Sequence, residues 1–131
     1  MSRDPRKLEA FVLADALVLD VYRATTRFPA DERYGLQAQI RRGAVSVAAN
    51  LVEGSARRTK REYLHFVGIA IGSASEVRYL LGLAHRLGML ELETAQPIMH
   101  RYGRVVRALQ SLVTALTAEP EARGPRSEAP A

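Results

Sequence analysis

The sequence predicts an all-α domain, an antiparallel up-down-up-down four-helix bundle followed by a disordered C-terminal tail. Three observations lead to this fold class. Apolar residues recur at spacings of three and four along most of the chain, which is typical of amphipathic helices. Aromatic residues make up only 6% of the 131 residues, and β-branched runs are short. The segments between the periodic stretches are short, so successive helices are expected to run antiparallel.

The first two helices have recognisable ends. The first is predicted from about Lys7 to Arg27, because the Phe28-Pro29 pair that follows disfavours further helix. The second is predicted from about Tyr34 to Glu53, and Gly54 is suited to ending it. Both carry an apolar stripe at helical spacing, so each is expected to bury one face.

The third and fourth helices are marked by capping signals. Thr59 and Glu62 form a capping box, in which each side chain satisfies a backbone amide at a helix start. The third helix is predicted from there to Leu87, because Gly88 suits the left-handed position beyond a helix end. The fourth is predicted to start near Glu93, which keeps Pro97 close to the first turn.

A chain of this length forms one domain and is too short for two. The bundle domain is assigned to residues 1–117. Residues 118–131 are predicted to be a disordered tail, because three prolines and a glycine lie there among charged residues. The length therefore excludes a multi-domain enzyme, and the composition excludes a fibrous repeat.

Several kinds of site are not expected from this sequence. The chain has no cysteine, which excludes disulfides, a thiolate nucleophile and a cysteine zinc site. It has no apolar leader at the start and no apolar run of about 18 residues, so we expect a cytoplasmic protein that does not span a membrane.

The motifs for catalysis and cofactors are also missing. Glu62 and His65 have the Glu-x-x-His spacing of di-iron bundles, but His85 and His100 have no matching Glu. The sequence contains no nucleophile elbow, no phosphate-binding loop and no dinucleotide fingerprint. We therefore expect no enzyme activity, no cofactor and no metal.

The second helix carries polar side chains beside its apolar stripe. They are spaced by three and four residues and so share a face, which antiparallel packing places beside the third helix. The predicted polar network comprises Gln39, Arg42, Ser46, Asn50, Glu53, Ser73 and Glu76. A partly buried Arg42–Glu76 pair would lie at its centre. One interpretation is a network that fixes helix register, and the other is a catalytic or binding pocket.

Glycines mark the same pair of helices. Gly43 on the second helix is about level with Gly68 and Gly72 on the third. Each costs about 1 kcal/mol in a helix interior relative to alanine. We expect a close approach of the two backbones to offset that cost.

Two segments of the sequence resemble a known family. The first contains Phe28-Pro29, Glu32, Tyr34-Gly35-Leu36, Gln39-Ile40-Arg41-Arg42, Ser46, Asn50 and Glu53-Gly54, and the second contains Ala70, Gly72-Ser73 and Glu76. Over roughly residues 8–116 the chain resembles the small four-helix proteins associated with intervening sequences in bacterial 23S ribosomal RNA genes. The resemblance implies a four-helix bundle in a ring-like homo-oligomer, a pentamer, from a family without an established enzymatic activity.

The third helix independently favours self-association. Leu64 and Ile71 point away from its main apolar stripe. A further apolar flank consists of Ile69, Leu80, Leu83 and Leu87. A single core would have difficulty covering all of these side chains. The alternative is that a central helix buries a wide arc against its own neighbours.

The basic residues suggest where an anionic partner would bind. The chain has 19 Lys and Arg against 14 Asp and Glu, a net charge of +5. In an up-down bundle, one end would collect Arg3, Arg6, Lys7, Arg57, Arg58, Lys60 and Arg61, beside the acids Asp4, Glu9, Glu53 and Glu62. A second group, Arg101, Arg104 and Arg107, forms a spiral on the fourth helix. The leading interpretation is that either group contacts a phosphate backbone, and the alternative is a solvated basic surface.

Two functional hypotheses follow. The first is an oligomeric accessory protein that binds RNA or DNA through its basic surface in a salt-sensitive way. The alternative is a protein-interaction scaffold that holds a partner protein and has no nucleic-acid role. An enzyme would need a pocket with a perturbed acid or base, for which Glu76, Arg42 and Glu53 are the candidates.

Overall fold

The computed structural model describes residue 5 and residues 8–118. It contains four α-helices, which are α1 (Glu9–Ala24), α2 (Leu36–Ser55), α3 (Lys60–Arg86) and α4 (Leu92–Ala118). A short 3-10 helix, Ala30–Glu32, precedes α2. The described residues contain no strand, so the prediction of an all-α chain with four helices is confirmed. Residue 118, which was predicted to begin the disordered tail, is instead the last residue of α4. Residues 119–131 of the predicted tail and the basic residues Arg3, Arg6 and Lys7 lie outside the described residues.

The limits of α3 follow its capping signals. Thr59 Oγ1 accepts a hydrogen bond from the Glu62 amide at 3.1 Å, which satisfies one of the free amides at the helix start. Gly88, just beyond the other end, has a φ of 79°, a conformation that favours glycine. Both ends therefore lie within about one residue of the prediction.

The ends of the other helices differ from the prediction where side chains or proline intervene. α1 stops at Ala24 rather than near Arg27, and the hydroxyls of Thr25 and Thr26 donate to the carbonyls of Val21 and Tyr22. Such hydroxyls compete with helical backbone bonds. α4 begins at Leu92, so Pro97 is its sixth residue and lies in the second turn rather than the first.

The helices contact one another in a closed cycle. α1 packs against α2 and α4, and α3 packs against the same two helices. Within the described residues, α1 does not contact α3, and α2 does not contact α4. The core lies between the four helices and includes the fully buried side chains of Leu17, Ile40, Leu81, Tyr102 and Leu109.

Among the described helices, α3 alone is both long enough and apolar enough to cross a membrane by length and composition. Its length and its mean hydropathy of 1.3 over 18 residues would fit a membrane span, a test that core helices of globular proteins also pass. Its buried side chains include Val67, Val77 and Leu81, and they belong to the core shared with the other helices. Length and composition alone are therefore weak evidence for a membrane role.

Candidate nucleic-acid interface

The start of α3 carries the basic group that the sequence indicated. The 27-residue helix α3 begins at Lys60, so the positive end of its helix dipole lies at this point. Arg58 and Arg61 are exposed, and no acidic side chain among the described residues forms an ion pair with either of them. These two guanidinium groups are therefore available to an external anion.

Arg57, by contrast, is held by its own chain. Its Nη2 lies 2.5 Å from Glu53 Oε2, one helical turn earlier in sequence. Its guanidinium carbon also lies 4.8 Å from the centre of the Phe66 ring. Its Nε is buried and has no hydrogen-bond partner within the described part of the chain. The ion pair and the ring fix the position of Arg57 at the side of α3.

Lys60 connects two helices rather than facing solvent alone. Its Nζ donates a hydrogen bond to the Leu116 carbonyl at 2.9 Å. Because the last carbonyls of a helix have no intrahelical donor, this bond satisfies one of them near the end of α4. Of the four predicted basic residues here, Arg58 and Arg61 are the ones left for a ligand.

A hollow lies beside the first turns of α3. Its volume is about 540 Å³. It is lined by Arg57, Thr59, Arg61, Glu62, His65 and Phe66. The His65 and Phe66 rings are 5.2 Å apart and meet edge to face, so the hollow has an aromatic wall next to a basic rim.

The three arginines of α4 do not form one surface. A spacing of three residues turns each side chain about 60° from the previous one around the helix. Arg101 turns toward α1, where its Nη2 lies 2.6 Å from Asp20 Oδ2. Arg104 is exposed, and Arg107 lies toward α3 beside Gly103. The predicted spiral therefore contributes to three different parts of the surface.

Part of the predicted polar network joins α2 to α3. The Oγ atoms of Ser46 and Ser73 are 2.8 Å apart and hydrogen-bonded. Asn50 Nδ2 donates to Ser46 Oγ at 3.0 Å and to the Ser46 carbonyl at 2.8 Å. These three side chains are half-buried, and their pairing removes the cost of leaving polar atoms unsatisfied.

The expected ion pair at the centre of that network is absent. Arg42 and Glu76 are both exposed, and within the described part of the chain no ion pair links them, so this prediction is wrong. Gln39 is also exposed, and Glu53 pairs with Arg57 instead. The short serine side chains join the two helices directly, and the long charged groups stay in water, which avoids their desolvation.

The glycines of α2 and α3 behave differently from one another. A Cβ on Gly43 would lie 2.5 Å from Val77 Cγ2, so α2 and α3 do approach closely there. Added Cβ atoms on Gly68 and Gly72 would meet nothing within 4 Å among the described atoms, and both residues are exposed. The expected close approach is thus correct for Gly43 and wrong for the two glycines of α3.

The structure also contains a polar connection that the sequence analysis did not identify. Arg41 Nε donates to Thr25 Oγ1 at 2.9 Å, and Arg41 Nη2 donates to the Tyr22 carbonyl at 3.0 Å. Gln37 Nε2 donates to the Thr25 carbonyl at 2.7 Å. Through these bonds, side chains of α2 satisfy backbone carbonyls at the end of α1. A threonine in an otherwise apolar stripe was the available signal.

The pKa of the Tyr102 phenol is raised above its usual value. Its side chain is fully buried, and its hydroxyl has no hydrogen-bond partner among the described residues. Burial raises the pKa of the phenol, the Asp20 carboxylate raises it further, and Arg101 opposes the change. Tyr102 is therefore neutral at neutral pH and is not placed to act as a base.

The described residues do not bring together a metal-binding set. Glu62 and His65 line the same hollow, but no group of three or more His, Asp and Glu side chains occurs within residues 8–118. The arrangement at the start of α3 offers positive charge and an aromatic wall, which suit contact with an anion rather than acid-base chemistry.

Comparison with known proteins assigns the family. The family model described as 23S rRNA-intervening sequence protein matches residues 6–111, which is most of the chain. The chain belongs to this family. The family resemblance expected from the two sequence segments is thereby confirmed. None of the curated proteins matches the chain.

A solved structure has the same fold. It is a protein of unknown function from the S23 ribosomal protein family of Bacteroides thetaiotaomicron, and it superposes with a TM-score of 0.74. The match covers 80% of this chain and 95% of that one, at 18% sequence identity. At this identity the likeness supports the fold alone.

Proposed function

We propose that this family member is a non-enzymatic, homo-oligomeric, antiparallel up-down-up-down four-helix bundle of the cytoplasm that binds RNA through its basic surface. The observation that carries the proposal is the pair of exposed guanidinium groups of Arg58 and Arg61 at the start of α3, which form no ion pair with any described residue. The family description connects such chains with intervening sequences of 23S rRNA, which makes RNA the anion to test first.

The contacts between successive helices support the antiparallel arrangement. From α2 to α3, Gly43 meets Val77, and Gly54 meets Phe66. Position numbers thus rise along one helix as they fall along the other. The same holds between α3 and α4, where Gly82 faces Met99 and Lys60 reaches the Leu116 carbonyl.

The outer face of α2 and α3 supports self-association. Gly68 and Gly72 lie there exposed, and inside the subunit nothing described uses the space that their missing side chains leave. Val45, Val52 and Ile69 are 42%, 46% and 39% exposed. Glycine in a helix interior is unfavourable by about 1 kcal/mol, and close approach of a second copy would offset that cost. The ring of five copies implied by the family resemblance would bury this face.

Charge on the same face fits a second copy of the chain. Arg42 on α2 and Glu76 on α3 are exposed and carry opposite charges without an intramolecular partner among the described residues. In the ring that we propose, α2 of one copy would meet α3 of the next, and Arg42 of one copy would pair with Glu76 of its neighbour. Such pairs set orientation and register more than affinity.

A ring would multiply the basic group at the start of α3. This group has an excess of two positive charges per subunit. It contains four basic residues and two acidic ones, namely Arg57, Arg58, Lys60 and Arg61 with Glu53 and Glu62. Repetition around one end of a ring gives a broad positive surface, on which phosphate contacts are salt-sensitive and tolerant of sequence.

The test is the salt dependence of RNA binding by the full chain. If Arg58 and Arg61 of two neighbouring copies make about four phosphate contacts to a single strand, affinity is expected to fall roughly 50-fold between 50 and 200 mM salt. The double variant Arg58→Glu with Arg61→Glu should abolish binding, because it reverses the two free charges. A filter-binding or anisotropy titration gives both results.

The matched control reverses two exposed arginines at the other end of the helices. Arg33→Glu with Arg86→Glu changes the net charge by the same amount, so it should retain most of the binding. Equal losses in both double variants would show a general charge effect and would contradict a site at the start of α3.

A protein-interaction scaffold remains the second candidate, and one observation favours it. Val12 and Leu19 on α1 are 55% and 56% exposed and lie seven residues apart, on one face of the helix. An apolar partner would cover them. A defined polypeptide that copurifies after nuclease treatment, together with no RNA binding, would support the scaffold over the RNA-binding protein.

A further inference from the structure

Gly103 of α4 lies beneath two guanidinium groups from different helices. A Cβ added to Gly103 would lie 3.3 Å from Arg107 Nη1 and 3.4 Å from both Cζ and Nη1 of Arg78. Since both Nη1 atoms are this close to one point, they lie within about 7 Å of each other. Arg78 belongs to α3 and Arg107 to α4, so the two arginines converge across the contact between these helices.

No acidic side chain compensates these two charges. Among residues 8–118, neither Arg78 nor Arg107 forms an ion pair. From Thr94 to the end of α4 at Ala118 the sequence contains no Asp or Glu. The one acid of α3 between its first turn and Arg86 is Glu76. It is two residues from Arg78 and therefore on a different side of the helix.

Glycine at position 103 is what permits this arrangement. The residue is buried, yet the guanidinium groups of two exposed arginines lie against its backbone. A Cβ here would be in tight contact with both groups, so both guanidinium groups would have to move slightly to admit it. The helix accepts an unfavourable residue here, and the structural result is that two cations point at one place.

We propose that Arg78 and Arg107, converging over Gly103, form a binding site for a phosphate group. Arginine is charged at every physiological pH and presents a planar fork of donors that matches phosphate oxygens. A carboxylate has two oxygens and satisfies one fork, whereas a phosphate group has enough oxygens to engage both. The two cations repel each other, and an anion bound between them would offset that repulsion.

Two sources would supply this group, a phosphodiester of RNA or free phosphate. The RNA source rests on the function proposed above, and the free-phosphate source does not. Arg107 also borders a hollow on α4 that is lined by Gln110, Ser111 and Thr114. These polar side chains lie where a phosphate-bearing ligand would extend along the helix.

The experiment follows the backbone amide of Gly103 by NMR while the full chain is titrated with inorganic phosphate at constant ionic strength. Chloride at the same ionic strength is the reference. We expect a saturable shift of the Gly103 signal with phosphate. Arg78→Gln and Arg107→Gln should each weaken binding at least tenfold. Arg33→Gln, which removes an exposed charge elsewhere, should leave it within twofold.

A second titration with a short single-stranded RNA identifies the source. A Gly103 shift with RNA that is lost in Arg78→Gln assigns the site to a phosphodiester, and a shift with phosphate alone assigns it to free phosphate. If neither probe moves Gly103, or if Arg78→Gln and Arg107→Gln respond like Arg33→Gln, the proposal is overturned.

The proposed phosphate site and the proposed RNA binding can be contradicted independently of each other. Arg58→Glu with Arg61→Glu removes the charges at the start of α3 and should leave the response of Gly103 to inorganic phosphate unchanged. Loss of RNA binding in that variant with an intact phosphate response would leave both proposals standing. Absence of RNA binding in the wild-type chain, with an intact phosphate response, would contradict only the RNA function.

Discussion

At the scale of single residues, Thr25 links the end of α1 to α2. Its fully buried hydroxyl donates to the Val21 carbonyl at 2.8 Å and accepts from Arg41 Nε at 2.9 Å. The Arg41 guanidinium also lies 4.5 Å from the centre of the Tyr22 ring. One hydroxyl thus donates to a backbone carbonyl and also accepts from a charged side chain.

Thr25→Val is expected to lower the free energy of unfolding by about 1–3 kcal/mol, because it leaves a charged donor without its buried acceptor. Thr26→Val is the matched control. Its hydroxyl donates to the Tyr22 carbonyl at 2.9 Å but is exposed, so its loss should change stability by less than about 0.5 kcal/mol. Denaturant unfolding measures both, and equal effects would contradict the role of Thr25.

Adjacent arginines show what the sequence does not reveal at this scale. Arg41 and Arg42 are identical in type, and both belong to the motif that carries the family resemblance. The structure turns Arg41 to the end of α1 and leaves Arg42 exposed. Consecutive residues lie 100° apart around the helix axis, so the two arginines face different directions. The packing of α2, rather than either residue, sets which of them faces α1.

At the scale of helices, α2 and α3 are held close by Gly43. Gly43→Ala is expected to destabilise the chain by about 1 kcal/mol or more, because overpacking against Val77 exceeds the gain in helix propensity. Thermal or denaturant unfolding checks this. An unchanged or higher stability would mean that Val77 moves aside at little cost.

Gly82→Ala is the control for that substitution. Its Cβ would lie 3.3 Å from the terminal methyl of Met99, which is the flexible end of a long side chain. The methionine can rearrange, so we expect stability to change by less than about 1 kcal/mol. The contrast between the two glycines depends on what each faces across the helix contact.

The ends of the helices could be predicted where residues next to each other in sequence determine them. Thr59 and Gly88 fix α3 through backbone bonds and a positive φ, which depend on residues next to each other in sequence. The end of α1 was predicted too late, because its hydroxyls bond to carbonyls and Arg41 and Gln37 complete the cap from another helix. Partners distant in sequence are not visible in a local pattern.

At the scale of the whole molecule, the candidate site was partly predictable. The sequence singled out the four basic residues around the start of α3. It did not separate Arg58 and Arg61, which are free, from Arg57 and Lys60, which bind Glu53 and the Leu116 carbonyl. Arg78 was missed entirely, because its meeting with Arg107 depends on how α3 and α4 face each other.

The proposed ring leads to a charge-reversal prediction. Arg42→Glu or Glu76→Arg alone places like charges across the contact between copies, so each should dissociate the oligomer toward the 14.5 kDa monomer. The double variant restores opposite charges and should restore the oligomer. Light scattering coupled to size exclusion measures the mass.

Arg104→Glu controls for the change of charge itself. Arg104 is exposed on α4, away from α2, and its reversal should leave the mass unchanged. If the wild-type chain is a monomer, or if the double variant behaves like the single ones, then Arg42 and Glu76 do not meet between copies.

The contact between α1 and α4 has a consequence for synthesis on the ribosome. Asp20 and Arg101 meet from opposite ends of the sequence, and the buried side of α1 is covered by α4 as well as by α2. The apolar surface of newly made α1 therefore stays partly uncovered until α4 has been synthesised. Contacts of such long separation slow folding, because a large loop closes before they form. During translation, the nascent chain exposes an apolar strip that chaperones can recognise until the last helix emerges.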